Sequence, residues 1–254
     1  MSKVYAIASQ KGGTGKTTTT RNLGAALAAR GRKVLVVDLD PQGHLTLSFG
    51  INPLSLKRHA YHMMVDEAVS LADVLIYHQL SGVGLVPTNL DLSGAEVELL
   101  SDPFGNNVVL RSKVEPVRDR VDYVLIDTPP SLGLLTINAL TAADGVIVPV
   151  QTHYLAYHGL QLLQQTVAKV KKRANPGLKV VGIIPTFYDS RVRHHNEVLS
   201  ELRKNYEPVL IDVPLPVRVA LADAMVAGKS INEFDGASDI AKLYAKIAEV
   251  IDHG

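Results

Sequence analysis

The 254-residue chain contains no cysteine. That removes disulfides, thiolate catalysis and iron–sulfur ligation from consideration. It also carries almost no net charge: 26 lysines and arginines stand against 25 aspartates and glutamates, for a formal +1. So small an excess argues against a generally basic nucleic-acid coat, and any such contact must come from a local patch. No run of about 18 apolar residues occurs, so no membrane span is expected. The first apolar stretch, Val4 to Ser9, is too short for a secretory signal, which makes the cytoplasm the expected compartment. Repeats, low-complexity tracts and linkers are missing as well. The length suits a single α/β domain over residues 1–254 with a large core.

What is present is concentrated in the run KGGTGKTT, Lys11 to Thr18. It follows the strand-like Val4–Ser9 and opens a helical pattern from Lys16 to Arg30. A glycine-rich turn between strand and helix leaves backbone N–H groups free, and the helix dipole adds partial positive charge, so a polyphosphate is favoured there. Lys16 is placed to reach the β- and γ-phosphates, and the Thr17 hydroxyl to join the shell of a magnesium ion. The ordinary phosphate-loop pattern wants a glycine six residues before its lysine. Gln10 occupies that place here, and a second lysine, Lys11, stands five before Lys16.

Strand-like and helix-like stretches alternate along the chain. Lys33–Asp38, Gly84–Pro87, Tyr123–Asp127, Gly145–Val150, Val180–Ile184 and Val209–Val213 are apolar on both faces, which predicts buried parallel strands. Helical patterns fall at 90–100, 106–120, 132–142, 155–173, 192–205, 217–227 and 238–251. The alternation predicts a doubly wound, mostly parallel sheet with helices on both faces and right-handed crossovers. Ligands of such sheets sit at the carboxyl ends of the strands. The segment Gly50 to Ser81 has no clear period. Its His59 and His62 are a candidate metal pair that no nearby acid in register supports.

Two further strand ends carry carboxylates. In VVDLDPQG (Val36 to Gly43), Asp38 closes a strand and Asp40 lies two residues on, so both are expected to face the phosphates. In VLIDTPPS (Val124 to Ser131), Asp127 ends an apolar strand in the Walker B manner, holding magnesium directly or through water. Pro129 and Pro130 stiffen the following loop, a candidate switch beside the γ-phosphate.

These motifs resemble the ParA/MinD superfamily of ATPases with the deviant Walker A box, and within it the ParA/Soj partition ATPases. The resemblance spans nearly the whole chain: KGGTGKTTTTRNLG, KVLVVDLDPQG, DYVLIDTPPSLGLLTINAL, GVIVPVQTHYLAYHGL, PTFYDSR and VPLPVR. It implies the P-loop NTPase fold, ATP and Mg2+ as cofactors, and a short form without an operator-binding domain. By the same resemblance Lys11 is the signature lysine, which crosses a dimer interface to the other subunit's nucleotide. Gly12, Gly13, Thr14, Gly15 and Lys16 form the phosphate cradle, Thr17 coordinates magnesium and Thr18 contacts phosphate. Asp40 positions the attacking water, Asp127 is the Walker B acid and Asp38 supports the metal shell. Lys11, Lys16 and Asp40 are thus the catalytic set.

The resemblance further implies an ATP-dependent homodimer on non-specific double-stranded DNA, a nucleoid-associated location, and a ParB-like or cargo-adaptor activator. Arg191 in YDSR and Arg218 in PLPVR match the DNA-contacting places, with Arg193, Lys204 and Lys229 as neighbours. Arg218 is expected to lie outside the phosphate cradle. VPLP at Val213 to Pro216 departs from the family's IPRN by one basic residue. The alternative is a MinD-like membrane-associated ATPase, whose lipid-binding tail follows the last core helix. Here Ile240, Leu243, Tyr244, Ile247, Val250 and Ile251 share one helical face without a basic membrane stripe, which predicts core packing and no membrane contact.

Overall fold

The computed structural model describes residues 2–101, 106–154 and 156–253. Strand β1 (Lys3–Ile7) leads through the glycine-rich loop into α1 (Lys16–Ala29), which returns to β2 (Val34–Asp38). There follow α2 (His44–Leu47), a 3-10 turn at Pro53–Ser55, α3 (Ala60–Val65), α4 (Leu71–Val74), β3 (Ile76–His78) and β4 (Val83–Val86). Next come α5 (Leu92–Ser101), α6 (Val109–Val114), a 3-10 stretch at Glu115–Arg120, β5 (Tyr123–Asp127), α7 (Leu134–Ala142) and β6 (Gly145–Gln151). The chain continues with α8 (Ala156–Arg173), β7 (Lys179–Thr186), α9 (Arg193–Tyr206) and a 3-10 turn at Glu207–Val209. It closes with α10 (Val219–Val226), α11 (Ile231–Asp235) and α12 (Asp239–His253).

The seven strands run in the order β3-β4-β2-β5-β1-β6-β7. All neighbours are parallel except β3 and β4. Alternate residues of β1 serve opposite faces: Val4 and Ala6 enter one hydrophobic cluster, Tyr5 and Ile7 the other. The second cluster includes Leu23 and Leu27 of α1 with Tyr244, Ile247 and Ile251 of α12. Gly24 lets α1 sit close to the sheet, since a β-carbon there would lie 3.2 Å from Val36 Cγ1. The register aligns Ile7, Asp127 and Asp38 across β1, β5 and β2. Both acidic strand ends therefore finish at one level beside the loop that leaves β1.

The doubly wound, mostly parallel sheet matches the expectation, with three local differences. Val209–Val213 forms no strand. Ile211 N–H donates to Ile183 O at 2.9 Å and Leu215 N–H to Pro185 O at 2.8 Å, with only isolated bridges to β7. Pro208, Pro214 and Pro216 have no N–H to give, so no continuous ladder forms. The pattern at 106–120 divides into α6 and a 3-10 stretch with Pro116 near its start. A short antiparallel edge strand, β3, arises within the Gly50 to Ser81 segment. The first residue of the expected helix 155–173 lies outside the described residues. On α12, Ile240, Tyr244, Ile247 and Ile251 of the expected face are buried, as core packing requires, whereas Val250, expected on the same face, is exposed. No helix among the described residues is long and apolar enough to cross a membrane.

Candidate functional site

The loop after β1 is shaped by backbone that only glycine adopts freely. Gly13 and Gly15 have φ of 70° and 89°. Gly15 is the N-cap of α1, so no side chain caps the first N–H groups of that helix. Those donors face the loop and call for an anion. The loop is pinned on both sides. Ser9 Oγ and Thr14 Oγ1 lie 2.6 Å apart, and Thr186 Oγ1 at the end of β7 donates to Thr14 O at 2.9 Å.

Lys16 is buried, yet among the described residues its ammonium makes one long hydrogen bond, to Lys11 O at 3.5 Å. Burial lowers its pKa, while the Asp127 and Asp40 carboxylates pull the other way. Thr17 Oγ1 donates to Asp127 Oδ2 at 2.7 Å, and Thr20 Oγ1 donates to Asp127 Oδ1 at 3.3 Å. Burial pushes the Asp127 carboxyl up to about 7, opposed by the Thr17 hydrogen bond and by Lys16. A cavity of about 460 Å³ joins Gly12, Gly13, Gly15, Lys16, Thr17, Thr18, Asp40 and Pro130. Thr14, Asp38 and Asp127 lie buried behind its walls.

Asp38 is fully buried with both oxygens engaged. Oδ2 accepts from Thr46 N–H at 2.8 Å and Thr46 Oγ1 at 2.7 Å, and Oδ1 accepts from Asp40 N–H at 3.3 Å. Burial, followed by repulsion from Asp127, pushes its carboxyl up to about 8. Its visible contacts shape the turn that presents Asp40. Lys11 is exposed and folds back on its own chain: Nζ donates to Gln151 Oε1 at 2.8 Å, while Gln151 Nε2 donates to Gly13 O at 2.8 Å.

A second, apolar cleft of about 200 Å³ opens beside Gly15 and Thr18, lined by Phe187, Leu215, Pro216 and Met225 among others. Phe187 has a φ of 57°, unusual for a bulky residue, and its ring is placed near Gly15. Thr152 Oγ1 steadies that turn by donating to Phe187 O at 3.2 Å. A phosphate cradle with an apolar slot at its side is the shape a nucleotide fills.

The AAA domain family (AAA_31) matches residues 2–180. Sporulation initiation inhibitor protein Soj of Bacillus subtilis is 40% identical over 251 residues, covering 99% of this chain and 98% of Soj. Chromosome partitioning protein ParA of Caulobacter vibrioides is 38% identical over 251 residues, covering 98% of this chain and 93% of its own. Among solved structures, cobyrinic acid a,c-diamide synthase from Mycobacterium smegmatis with bound ADP and magnesium superimposes with a TM-score of 0.86. It is 38% identical and covers 100% of this chain and 95% of its own. The chain belongs to the ParA/Soj family of P-loop ATPases.

The arginines expected to contact DNA are not free cations. Arg191 is 88% exposed and makes a paired contact with Asp189, at 3.0 and 2.8 Å. Arg218 holds Asp239 through Nε at 3.0 Å and Nη2 at 2.5 Å. Arg193 pairs with Glu197, whereas Lys204 and Lys229 make no ion pair among the described residues. Arg218 does not line the phosphate-loop cavity, as expected, but it does line the adjoining apolar cleft. His59 and His62 pack with ring centroids 4.6 Å apart but belong to no three-ligand cluster among the described residues.

Four contributors escaped the sequence reading: Gln151, Thr20, Thr46 and the cleft around Phe187. Gln151 carried a signal, standing one residue past the apolar run Gly145–Val150 at a carboxyl strand end. Thr20 lies one turn beyond Lys16 on the same helix face. Thr46 and Phe187 depend on loop paths that no local pattern specifies.

Proposed function

We propose that this chain binds ATP with magnesium, dimerises around the nucleotides and hydrolyses them to ADP and phosphate. In the ATP state it binds double-stranded DNA without sequence preference and positions a plasmid, chromosome or protein cargo over the nucleoid. A ParB-like or cargo-adaptor protein stimulates hydrolysis. The observation that carries the reading is the cavity itself: uncapped helix N–H groups, a buried lysine, and the Thr17 hydroxyl and Asp40 carboxylate around one space, with Asp127 bonded to Thr17. Thr17 and Asp127 are hard oxygen donors of the kind magnesium takes, and Asp38 backs them one strand away. A magnesium ion held by these residues would supply neutralisation of the negative charge that builds up during phosphoryl transfer.

Asp40 is held on the cavity wall, where Gln42 N–H donates to its Oδ1 at 3.1 Å. That place suits a carboxylate that orients water toward the terminal phosphate. Lys11 faces solvent and has one side-chain bond to exchange, with Gln151, before reaching a second subunit. Hydrolysis then waits for dimerisation, as with a catalytic cation supplied in trans.

The name of the Mycobacterium smegmatis structure suggests a second reading, an ATP-dependent amide-forming enzyme. This chain has no cysteine with which to release ammonia from an amide donor by thiolate attack. For the MinD-like alternative, α12 itself offers no membrane-binding stripe, since Ile240, Tyr244, Ile247 and Ile251 are buried.

Light scattering with ATP and magnesium tests the dimer. Asp40→Ala should accumulate as an ATP-loaded dimer, because phosphate contacts remain while water is no longer oriented. A monomer at every concentration would contradict the reading.

A further inference from the structure

Three imidazoles converge outside the nucleotide site. His153 follows β6, and His194 and His195 open α9. One ring nitrogen from each lies within 4.8 Å of the other two. The rings pack at centroid distances of 4.5 to 5.5 Å, edge to face for two of the three pairs. His195 is buried at 7% exposure, while His153 and His194 are exposed and free to swing inward. No carboxylate within ion-pair distance holds any of them among the described residues.

We propose that His153, His194 and His195 form a binding site for a borderline transition-metal dication of the zinc type. Imidazole nitrogen is the donor such ions prefer, and three protein ligands with a fourth place left to water is a recurrent zinc arrangement. Ligand nitrogens around a tetrahedral zinc sit roughly 3.3 Å apart at Zn–N bonds of about 2.0 Å. Small rotations of the two exposed rings close the difference from 4.8 Å.

The buried ring sets a condition on binding. His195 Nδ1 accepts the Asp189 N–H at 3.0 Å, so the neutral ring carries its proton on Nε2. A metal at Nε2 moves that proton to Nδ1, which then repels the Asp189 donor. A metal at Nδ1 displaces the donor outright. Either route releases the Asp189 N–H, and Asp189 is the residue that holds Arg191. The ion would also tie the loop after β6 to the first turn of α9. Gln151, two residues before His153, is the residue that holds Lys11. The site therefore touches both segments that the proposed dimer and DNA contacts use.

The test is calorimetric titration of the full chain, made without a histidine tag, with zinc chloride in the presence of excess magnesium and no nucleotide. One equivalent should bind. The double substitution His153→Ala/His194→Ala, at two exposed positions, should weaken it at least a hundredfold, since loss of even an outer-shell partner costs ten- to a hundredfold. An unchanged melting temperature of the metal-free double variant shows that the fold survives. His44→Ala, which removes the imidazole lining the nucleotide cavity, should leave zinc affinity as it was. Absence of stoichiometric binding, equal affinity in the double variant, or loss confined to His44→Ala would overturn the proposal. Hydrogen exchange supplies a second readout: zinc should speed exchange of the Asp189 amide, and unchanged protection there would overturn ligation by His195.

Discussion

Asp127 should make magnesium–nucleotide binding depend on pH across the neutral range. Its carboxyl is pushed up to about 7, chiefly by burial. A divalent ion needs the carboxylate, so protons and magnesium compete for it. With that pKa, roughly a tenth of the molecules carry the anion near pH 6 and roughly nine tenths near pH 8. Affinity for magnesium-ADP should therefore rise about tenfold over that interval, or about 1.4 kcal/mol. Calorimetric titration of the wild type and Asp127→Asn at both pH values isolates the effect, because the nucleotide's own ionisation is common to both. The rise should be present in the wild type and lost in the variant. An equal rise in both, or none in the wild type, would refute the reasoning. The sign for stability is opposite. Asp127 and Asp38 both have folded pKa values raised above the unfolded one, to about 7 and about 8. Their stabilising contribution is complete below the unfolded value near 4 and is lost as pH rises through the folded values. The nucleotide-free protein should melt lower at about pH 9 than at about pH 6.

Two substitutions probe the surrounding structure. Lys16→Ala should abolish most ATP binding by calorimetry, because it removes the one ammonium buried inside the cradle; unchanged affinity would displace the site. Arg21 is fully buried on α1, 2.6 Å from Glu233 and stacked 3.9 Å over the Phe49 ring. Arg21→Met strands the Glu233 charge and should cost about 3–5 kcal/mol in urea unfolding, with partial recovery in Arg21→Met/Glu233→Gln.

How far the sequence speaks can be followed residue by residue. The cradle was legible because its chemistry is local: Gly12 to Thr18 carry turn, helix start and cation within one short run. Asp38 and Asp127 were legible as acids closing apolar strands, and the register that aligns them follows from parallel pairing. The reading that Asp38 faces the phosphates misses what the fold does with it, because Thr46, eight residues on, takes one of its oxygens. Val209–Val213 has the composition of a strand, but the prolines around it leave too few donors for a ladder. Arg191 and Arg218 were visible as charges, whereas Asp189 and Asp239 as their partners depend on loop geometry and on a distant helix start. The three-histidine cluster joins residues about forty positions apart and had no signal in any local pattern.

The central claim, an ATP-gated dimer on DNA, is tested most directly by fluorescence anisotropy on two unrelated duplexes with ATP and with ADP. On that claim, pairing two subunits would place two copies of Arg191 and Arg218 along DNA, and each phosphate contact adds about −0.9 to the log–log salt slope. The slope should reach at most about −3.6, because each arginine first exchanges its aspartate for a phosphate. Arg191→Glu is the cleaner variant, as Arg218 borders the nucleotide cleft. The account predicts binding to both duplexes with ATP, fading between low and moderate salt, weak binding with ADP, and loss in Arg191→Glu. Equal binding with both nucleotides, or none with ATP, would contradict it.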